Sequence, residues 1–344
     1  MLDADTLENA AIWRPGAPDG LGDVHMGRIT ARIPAMAGAF VTLVDAEGFL
    51  PDSAGGVGLS EGMPVAVTIT RTAQGGKGPR LARATVAADG PVRLIASGPT
   101  PLDRLATAYP QAEIQVDDLA LFASLRPTYP NRIAKVAIAF DDSLEARFES
   151  LGSPRAELPG GLVATITPTP ALVAIDIDGG ASTAERGGKQ SVQFAANRAA
   201  LPALAREIRL RNLSGAILVD MAGISAKRRA GLAPDLSAAL ADDPARPRLL
   251  GFTALGLAEI LRPRTGPPLH ELLAGPHAAG LSALRQVARQ PLQRLRLRAA
   301  PAVIACLRRD TEALADLARR VTYPLMLKED ANLAISAWMI EDAS

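Results

Sequence analysis

The sequence predicts a multi-domain α/β protein: a small β-barrel, an α/β layer, then a βαβ subdomain, then a small C-terminal α/β module. Three observations carry this. Short alternating apolar runs broken by glycine and proline fill residues 23–87. Two strand-like segments, each ending in an aspartate, flank a stretch with helical periodicity. Proline and glycine then accumulate over residues 263–280 and set off the last part of the chain.

Taken in order, residues 29–33, 40–44 and 65–69 alternate apolar and small or polar side chains, the pattern of short strands closing into a barrel. Residues 92–174 mix strand-like runs (113–116, 135–140) with a helical pattern at 102–108, which predicts an α/β layer. Residues 171–176 and 215–220 read as strands, and residues 197–210 between them as a helix, making a βαβ unit in a subdomain at 151–275. A further helix is expected over 225–240, a strand at 248–252 and a helix from about Leu255. Residues 263–280 read as a linker. The module at 281–344 is expected to run strand (300–307), helix (311–320), strand (323–328), strand (333–340), with Asp310 or Thr311 capping the helix.

Composition narrows the function. The 344 residues are 48% hydrophobic, enough for a substantial core. Thirty-seven basic and 36 acidic residues leave a formal charge of +1, so any nucleic-acid site must be a local basic patch. One cysteine, Cys306, excludes an internal disulfide and a cysteine-pair zinc site and fits a cytoplasmic location. The first residues lack the basic and apolar runs of a secretory leader, and an 18-residue apolar stretch is absent, so no membrane partner is expected.

The chemistry points to the two strand-ending aspartates. In α/β sheets, ligands bind beyond the carboxyl ends of strands, and carboxylates brought together there repel unless a proton or cation lies between them. Asp176 and Asp220 fit such a pair for a magnesium ion, which takes one or two carboxylates plus water and phosphate oxygens. Two capping or loop aspartates explain the pattern equally well. After Asp176 come Asp178, Gly179 and Gly180, a turn that lets backbone approach a ligand, then Arg186, Gly187, Gly188 and Lys189. Arg206, Arg209 and Arg211 follow, and Lys227, Arg228 and Arg229 come after Asp220. Each arginine taken alone reads better as part of a solvated helix face than as a ligand contact.

These residues resemble the ribonuclease E/G family. Its catalytic part runs approximately A-I-D-x-N-S/G-G, then a helix ending R-L-R-x-L-x-G, then I-x-V-I-D-F-I-D-M. The chain has Ala174-Ile175-Asp176-Ile177-Asp178-Gly179-Gly180, Arg209-Leu210-Arg211-Asn212-Leu213-Ser214-Gly215 and Ala216-Ile217-Leu218-Val219-Asp220-Met221. Residues 251–260 resemble the family's T-R-x-G-L-L-E segment. The runs at 27–30, 39–41, 48–50 and 76–81 resemble its OB-fold barrel of the S-one type. The resemblance implies that the barrel (23–87) is inserted in an RNase H-like α/β layer (1–22 and 88–150). It also implies that Asp176 and Asp220 are ligands of a catalytic Mg2+ with Asp178 beside them. Phe40, Phe49 and Lys77 then guide single-stranded RNA, with Arg80, Lys189, Arg209 and Arg211 as further RNA contacts. Aromatic faces stack bases and cations follow phosphates. On pattern alone, Phe40 and Phe49 read as barrel core and Lys77 as a loop charge.

The resemblance implies a metal-dependent endoribonuclease acting in ribosomal RNA processing or messenger turnover, and no histidine base is needed. Four departures bear on this. Asp178 stands where the family has asparagine, and Met221-Ala222-Gly223-Ile224 replaces a segment with a further aspartate. The region at 87–108 is too short for the family's 5′-monophosphate sensor. Finally, residues 263–280 lack the cysteines that link subunits through zinc, so no zinc-linked tetramer is expected, while the C-terminal module is left to form a homodimer. A catalytically degenerate RNA-binding protein is the competing reading. A nucleotide-binding enzyme is disfavoured by the absence of G-x-x-x-x-G-K-[ST] and G-x-G-x-x-G.

Overall fold

A computed structural model describes residues 1–3, 6–14, 18–179 and 189–343, apart from the side chains of 189–190. The chain divides into two compact units, Met1–Pro268 and Leu269–Ser344. Unit 1 opens with a short antiparallel pair, β1 (Leu2–Asp3) and β2 (Thr6–Leu7).

The barrel follows: β3 (Val24–Ile33), β4 (Gly38–Thr42), β5 (Glu47–Pro51), β6 (Pro64–Arg71) and β7 (Arg80–Arg83). Pairing runs β3-β4-β5-β7-β6 and back to β3, closing five strands with β5 and β7 parallel. This order is consistent with an OB-fold. The alternation seen in the sequence fills the barrel: Ile29, Ala39, Val41, Leu50, Val65, Val67 and Leu81 are all buried. Strand β8 (Arg93–Ala96) adds to the outside of β3.

Where the sequence suggested a continuous α/β layer, the described residues form smaller pieces. They are α1 (Pro101–Ala108), β9 (Ile114–Val116), α2 (Leu119–Leu125), β10 (Ile133–Lys135) and α3 (Asp142–Ser150). Strands β9 and β10 pair in parallel as a two-stranded sheet. Three residues per strand, with only Val116 fully buried, give too little apolar face to recruit further strands.

The second sheet has six strands: β11 (Arg155–Leu158), β12 (Leu162–Pro168), β13 (Leu172–Gly179), β14 (Gly215–Asp220), β15 (Arg248–Phe252) and β16 (Ala258–Arg262). The order is β11-β12-β13-β14-β16-β15, with only β13 and β14 parallel. Helix α4 (Lys189–Leu210) makes the crossover between those two, and α5 (Ala226–Arg229) and α6 (Ala233–Leu240) follow β14. Leu201, Leu204 and Ile208 of α4 and Leu236 of α6 join Val173, Ile175, Ile177, Ile217, Val219 and Ile260 in one core. Because side chains alternate along a strand, burial of that set turns Asp176, Asp178 and Asp220 to the opposite face. A helix expected from Leu255 is instead a turn leading into β16, where Ala258, Ile260 and Arg262 alternate inward.

Unit 2 contains α7 (Leu269–Leu273), α8 (Pro276–Ala288), β17 (Leu295–Ala299), α9 (Pro301–Arg309), α10 (Thr311–Arg320), β18 (Met326–Glu329) and β19 (Trp338–Asp342). Strand β17 lies between β18 and β19. The expected linker is thus largely helical. The strand expected at 300–307 is helix α9: Pro301 sits in its first turn, and Val303, Ile304 and Leu307 bury one helical stripe. A six-residue apolar run fits either period, and the strand lies just before it. Asp310 caps α10, its side chain accepting from the Ala313 N–H at 3.0 Å. Among the described residues no helix is long and apolar enough to cross a membrane.

Candidate active site

The site is built on the register of two strands. Asp176 of β13 and Asp220 of β14 are direct partners across the parallel pair, so both carboxylates stand side by side on the sheet face away from the helices. Asp178 is two residues along on that face, and Thr165 of β12 is Asp176's partner on the other side. Burial raises the Asp176 carboxyl above its usual range, and the charges of Asp178 and then Asp220 raise it further, against a smaller opposing pull from Arg229. Like charges gathered this way favour a bound proton or cation.

Arg229 is the residue the sequence undervalued. Its guanidinium lies 2.5 Å from Asp220 Oδ1, at an angle that makes this a charge contact and not a directed hydrogen bond. Its Nε also donates to the Ile224 carbonyl at 2.9 Å, which ties the turn after β14 to α5. A second contributor is Asn197, 1% exposed. Its Nδ2 donates to the Ala222 carbonyl at 2.9 Å, and its Oδ1 accepts from the Ala222 N–H at 3.0 Å. This side chain acts as a short strand that pins the backbone two residues after Asp220. Its only signal in the sequence is a polar residue on the apolar stripe of a predicted helix. Gly223, at φ +60°, leaves room for the Gln193 side chain, which a Cβ there would meet.

Asp176 and Asp220 offer a hard cation two carboxylates, the number magnesium commonly takes from a protein alongside water and phosphate. Among the described residues no group of three or more His, Cys, Asp or Glu could hold an ion unaided.

On the barrel, Phe40 and Phe49 are cross-strand partners with ring centroids 5.6 Å apart at an interplanar angle of 67°. Both are half-exposed, because Ala39, Val41 and Leu50 take the inward positions. A Cβ at Gly38 would overlap the Phe49 ring, so that glycine seats it. Arg80 pairs with Phe49 across β5 and β7 and is exposed, and Lys77 is exposed at the tip of the turn before it. The rings are an outward platform bordered by cations.

The structure does not bring the remaining basic candidates to the carboxylates. Arg209 is buried, with Nε donating to the Glu8 carbonyl at 2.8 Å and its guanidinium paired with the Glu8 carboxylate. Arg211 is buried too, 2.8 Å from Glu207 and donating to the carbonyls of Leu151, Ser153 and Arg155. Their donors are committed inside the protein. Lys189 opens α4, but its side chain lies outside the described residues, as do Gly180, Arg186, Gly187 and Gly188.

Comparison with known proteins adds to this geometry. A sequence model of the Ribonuclease E/G family matches residues 115–265, which contain both aspartates, Asn197 and Arg229. Ribonuclease E of Synechocystis sp. is 36% identical over 124 residues, covering 36% of this chain and 18% of that protein. Ribonuclease E of Nostoc sp. is 37% identical over 120 residues, covering 35% and 17%. Ribonuclease G of Escherichia coli (strain K12) is 34% identical over 120 residues, covering 35% and 24%. In each case the match spans under a quarter of the relative's length.

Proposed function

We propose that this chain is a metal-dependent endoribonuclease hydrolysing phosphodiester bonds in single-stranded RNA, a reading supported by the match of residues 115–265 to the Ribonuclease E/G family. The observation that carries this reading is the register pairing of Asp176 with Asp220 on one open sheet face. Cytoplasmic ribosomal RNA processing or messenger turnover is the setting it implies, with a homodimer formed through the C-terminal module.

The residues fit Mg2+, which Asp176 and the Oδ2 of Asp220 would hold. When bound, the ion polarises the scissile phosphate and lowers the pKa of an attacking water. The chain's own residues do the positioning. Arg229 adds a positive charge beside the phosphate and fixes the Asp220 carboxylate, while Asn197 holds the turn that aims it. Asp178 is an acceptor on the same face, available to orient water. Phe40 and Phe49 stack bases, and Lys77 and Arg80 follow the phosphates, so the barrel delivers the strand and raises its local concentration at the carboxylates.

One observation favours a second reading, an RNA-binding protein without turnover: Arg229 already supplies a positive charge at Asp220 Oδ1, and Asp178 adds a negative one. Cleavage of a labelled A/U-rich single-stranded RNA, with and without magnesium, separates the two. Magnesium-dependent cutting lost in both Asp176→Asn and Asp220→Asn at unchanged RNA affinity supports the nuclease. Tight binding by the unsubstituted protein without any cutting supports the second reading.

A further inference from the structure

The barrel platform continues in a direction that the reading above does not use. Register pairings run from Phe40 to Phe49, from Phe49 to Arg80 and from Arg80 to Arg71, a single row across β4, β5, β7 and β6. Register neighbours share a face, so an aromatic pair is followed by two guanidiniums. Arg71 Nε is buried without a hydrogen-bond partner. Burial first, then the charges of Arg80 and Arg264, hold the Arg71 guanidinium below its usual range.

Arg264 follows β16 of the second sheet, and its guanidinium lies over Gly215. The Thr72 N–H, just past β6, donates to the Thr265 carbonyl at 2.9 Å and fastens that segment to the barrel. Beside it, Arg246, Arg248 and Arg264 line a cavity of about 350 Å3 over Gly215, with Arg262 as a further wall. Arg262 is committed to Asp243 at 2.7 Å. Among the described residues, Arg71, Arg80, Arg246, Arg248 and Arg264 have no ion pair. Clustered guanidiniums with no carboxylate between them are suited to a polyanion, since each offers a fork of donors to phosphate oxygens. Gly215 opens β14 and Asp220 closes it, so this cavity lies about 17 Å from the carboxylate pair, at the other end of the strand.

We propose that Arg246, Arg248 and Arg264 form a second phosphodiester-binding site that holds the stretch of single-stranded RNA adjoining the bases stacked on Phe40 and Phe49. The proposal rests on the RNA-binding part of the function above and adds a length requirement: an RNA confined to the platform does not reach this site.

The test is RNA binding in EDTA, read by fluorescence anisotropy, with a hexamer that one barrel can hold and an oligonucleotide of about 18 nucleotides that exceeds it. The unsubstituted protein is compared with Arg248→Gln/Arg264→Gln and with Arg248→Lys/Arg264→Lys, all at exposed positions. The glutamine pair is expected to lower the ratio of long-RNA to hexamer affinity about tenfold. It should also reduce the salt slope for the long RNA by about 1.4, two phosphate contacts at ~0.7 each. The lysine pair, which keeps the charges, retains most of both. A ratio and slope unchanged in the glutamine pair, with hexamer binding intact, overturn this site alone. Failure of the unsubstituted protein to bind either RNA overturns it together with the proposed function.

Discussion

The raised Asp176 carboxyl has a consequence for stability. A carboxyl whose folded pKa lies above its unfolded value destabilises the fold once ionised, so stability is lost as pH rises through the folded pKa. Asp176→Asn should therefore stabilise the metal-free protein at neutral pH while abolishing the proposed cleavage. Solvent screening keeps the gain to about 0.5 kcal/mol. Urea unfolding in EDTA measures it, and the gain should shrink when magnesium is added; a loss of stability instead would show that the neighbouring carboxylates do not repel. Asn197→Ala leaves both backbone groups of Ala222 unpaired in the interior, costing ~2–3 kcal/mol. Turnover should fall more than tenfold, because the turn that aims Asp220 loosens. Lower stability at unchanged turnover would confine Asn197 to supporting the fold. Asp176 and Asp220 were legible as acids ending two apolar strands. Arg229 was not: nine residues beyond Asp220, on a short basic helix, it reads as solvated until the turn at 221–225 folds it back. Arg209 and Arg211 were misleading for the converse reason, since their partners, Glu8 and the carbonyls of 151–155, lie far away in sequence.

Among elements, the barrel was readable because its strands alternate, but the phase of β4 and β5 was not: pattern alone reads Phe40 and Phe49 as core, whereas Ala39, Val41 and Leu50 take the inward positions and turn both rings out. Helix α9 was misread because its apolar run is short. The contact between α1 and the loop after α2 was invisible, since nothing in the sequence pairs Asp103 with Tyr129. Thr100 and Asp103 form a capping box at the start of α1, and the Tyr129 hydroxyl donates to the same Asp103 carboxylate. Burial raises the Asp103 carboxyl, but the Tyr129 and Thr100 hydrogen bonds outweigh it and hold the group below its usual range. Tyr129 is pushed up to about 12, by burial and by the hydrogen bond to Asp103. A lowered carboxyl stabilises the fold above its unfolded pKa of ~3.9 and loses that contribution as pH falls through the folded value. Tyr129→Phe is therefore expected to cost about 1–1.5 kcal/mol at pH 7. The difference from the unsubstituted protein should narrow below about pH 4. Chemical denaturation across that range checks the sign.

For the whole molecule, the division at Pro268/Leu269 falls inside the proline-rich stretch that the sequence marked, but helices occupy much of that stretch. Local composition signals a boundary, while the residues that rebuild structure beyond it are recognised only by their burial. Unit 2 has its own apolar clusters around Leu297, Leu307 and Val303. Residues 269–344 expressed alone should thus unfold cooperatively, with a stability of roughly 3–5 kcal/mol; a featureless urea curve would show that this core is insufficient. The pairing of Asp176 with Asp220 also constrains how this chain can change in length. Side chains alternate faces with a period of two. One residue inserted in β14 ahead of Asp220, with the pairing upstream kept, turns that carboxylate into the apolar interior. Two inserted residues return it to the open face but carry it about 6.6 Å past its partner. The length of β14 between Gly215 and Asp220 is therefore fixed both in parity and in number, and the turn after it is held as closely, by Asn197 at Ala222 and by Arg229 at Ile224.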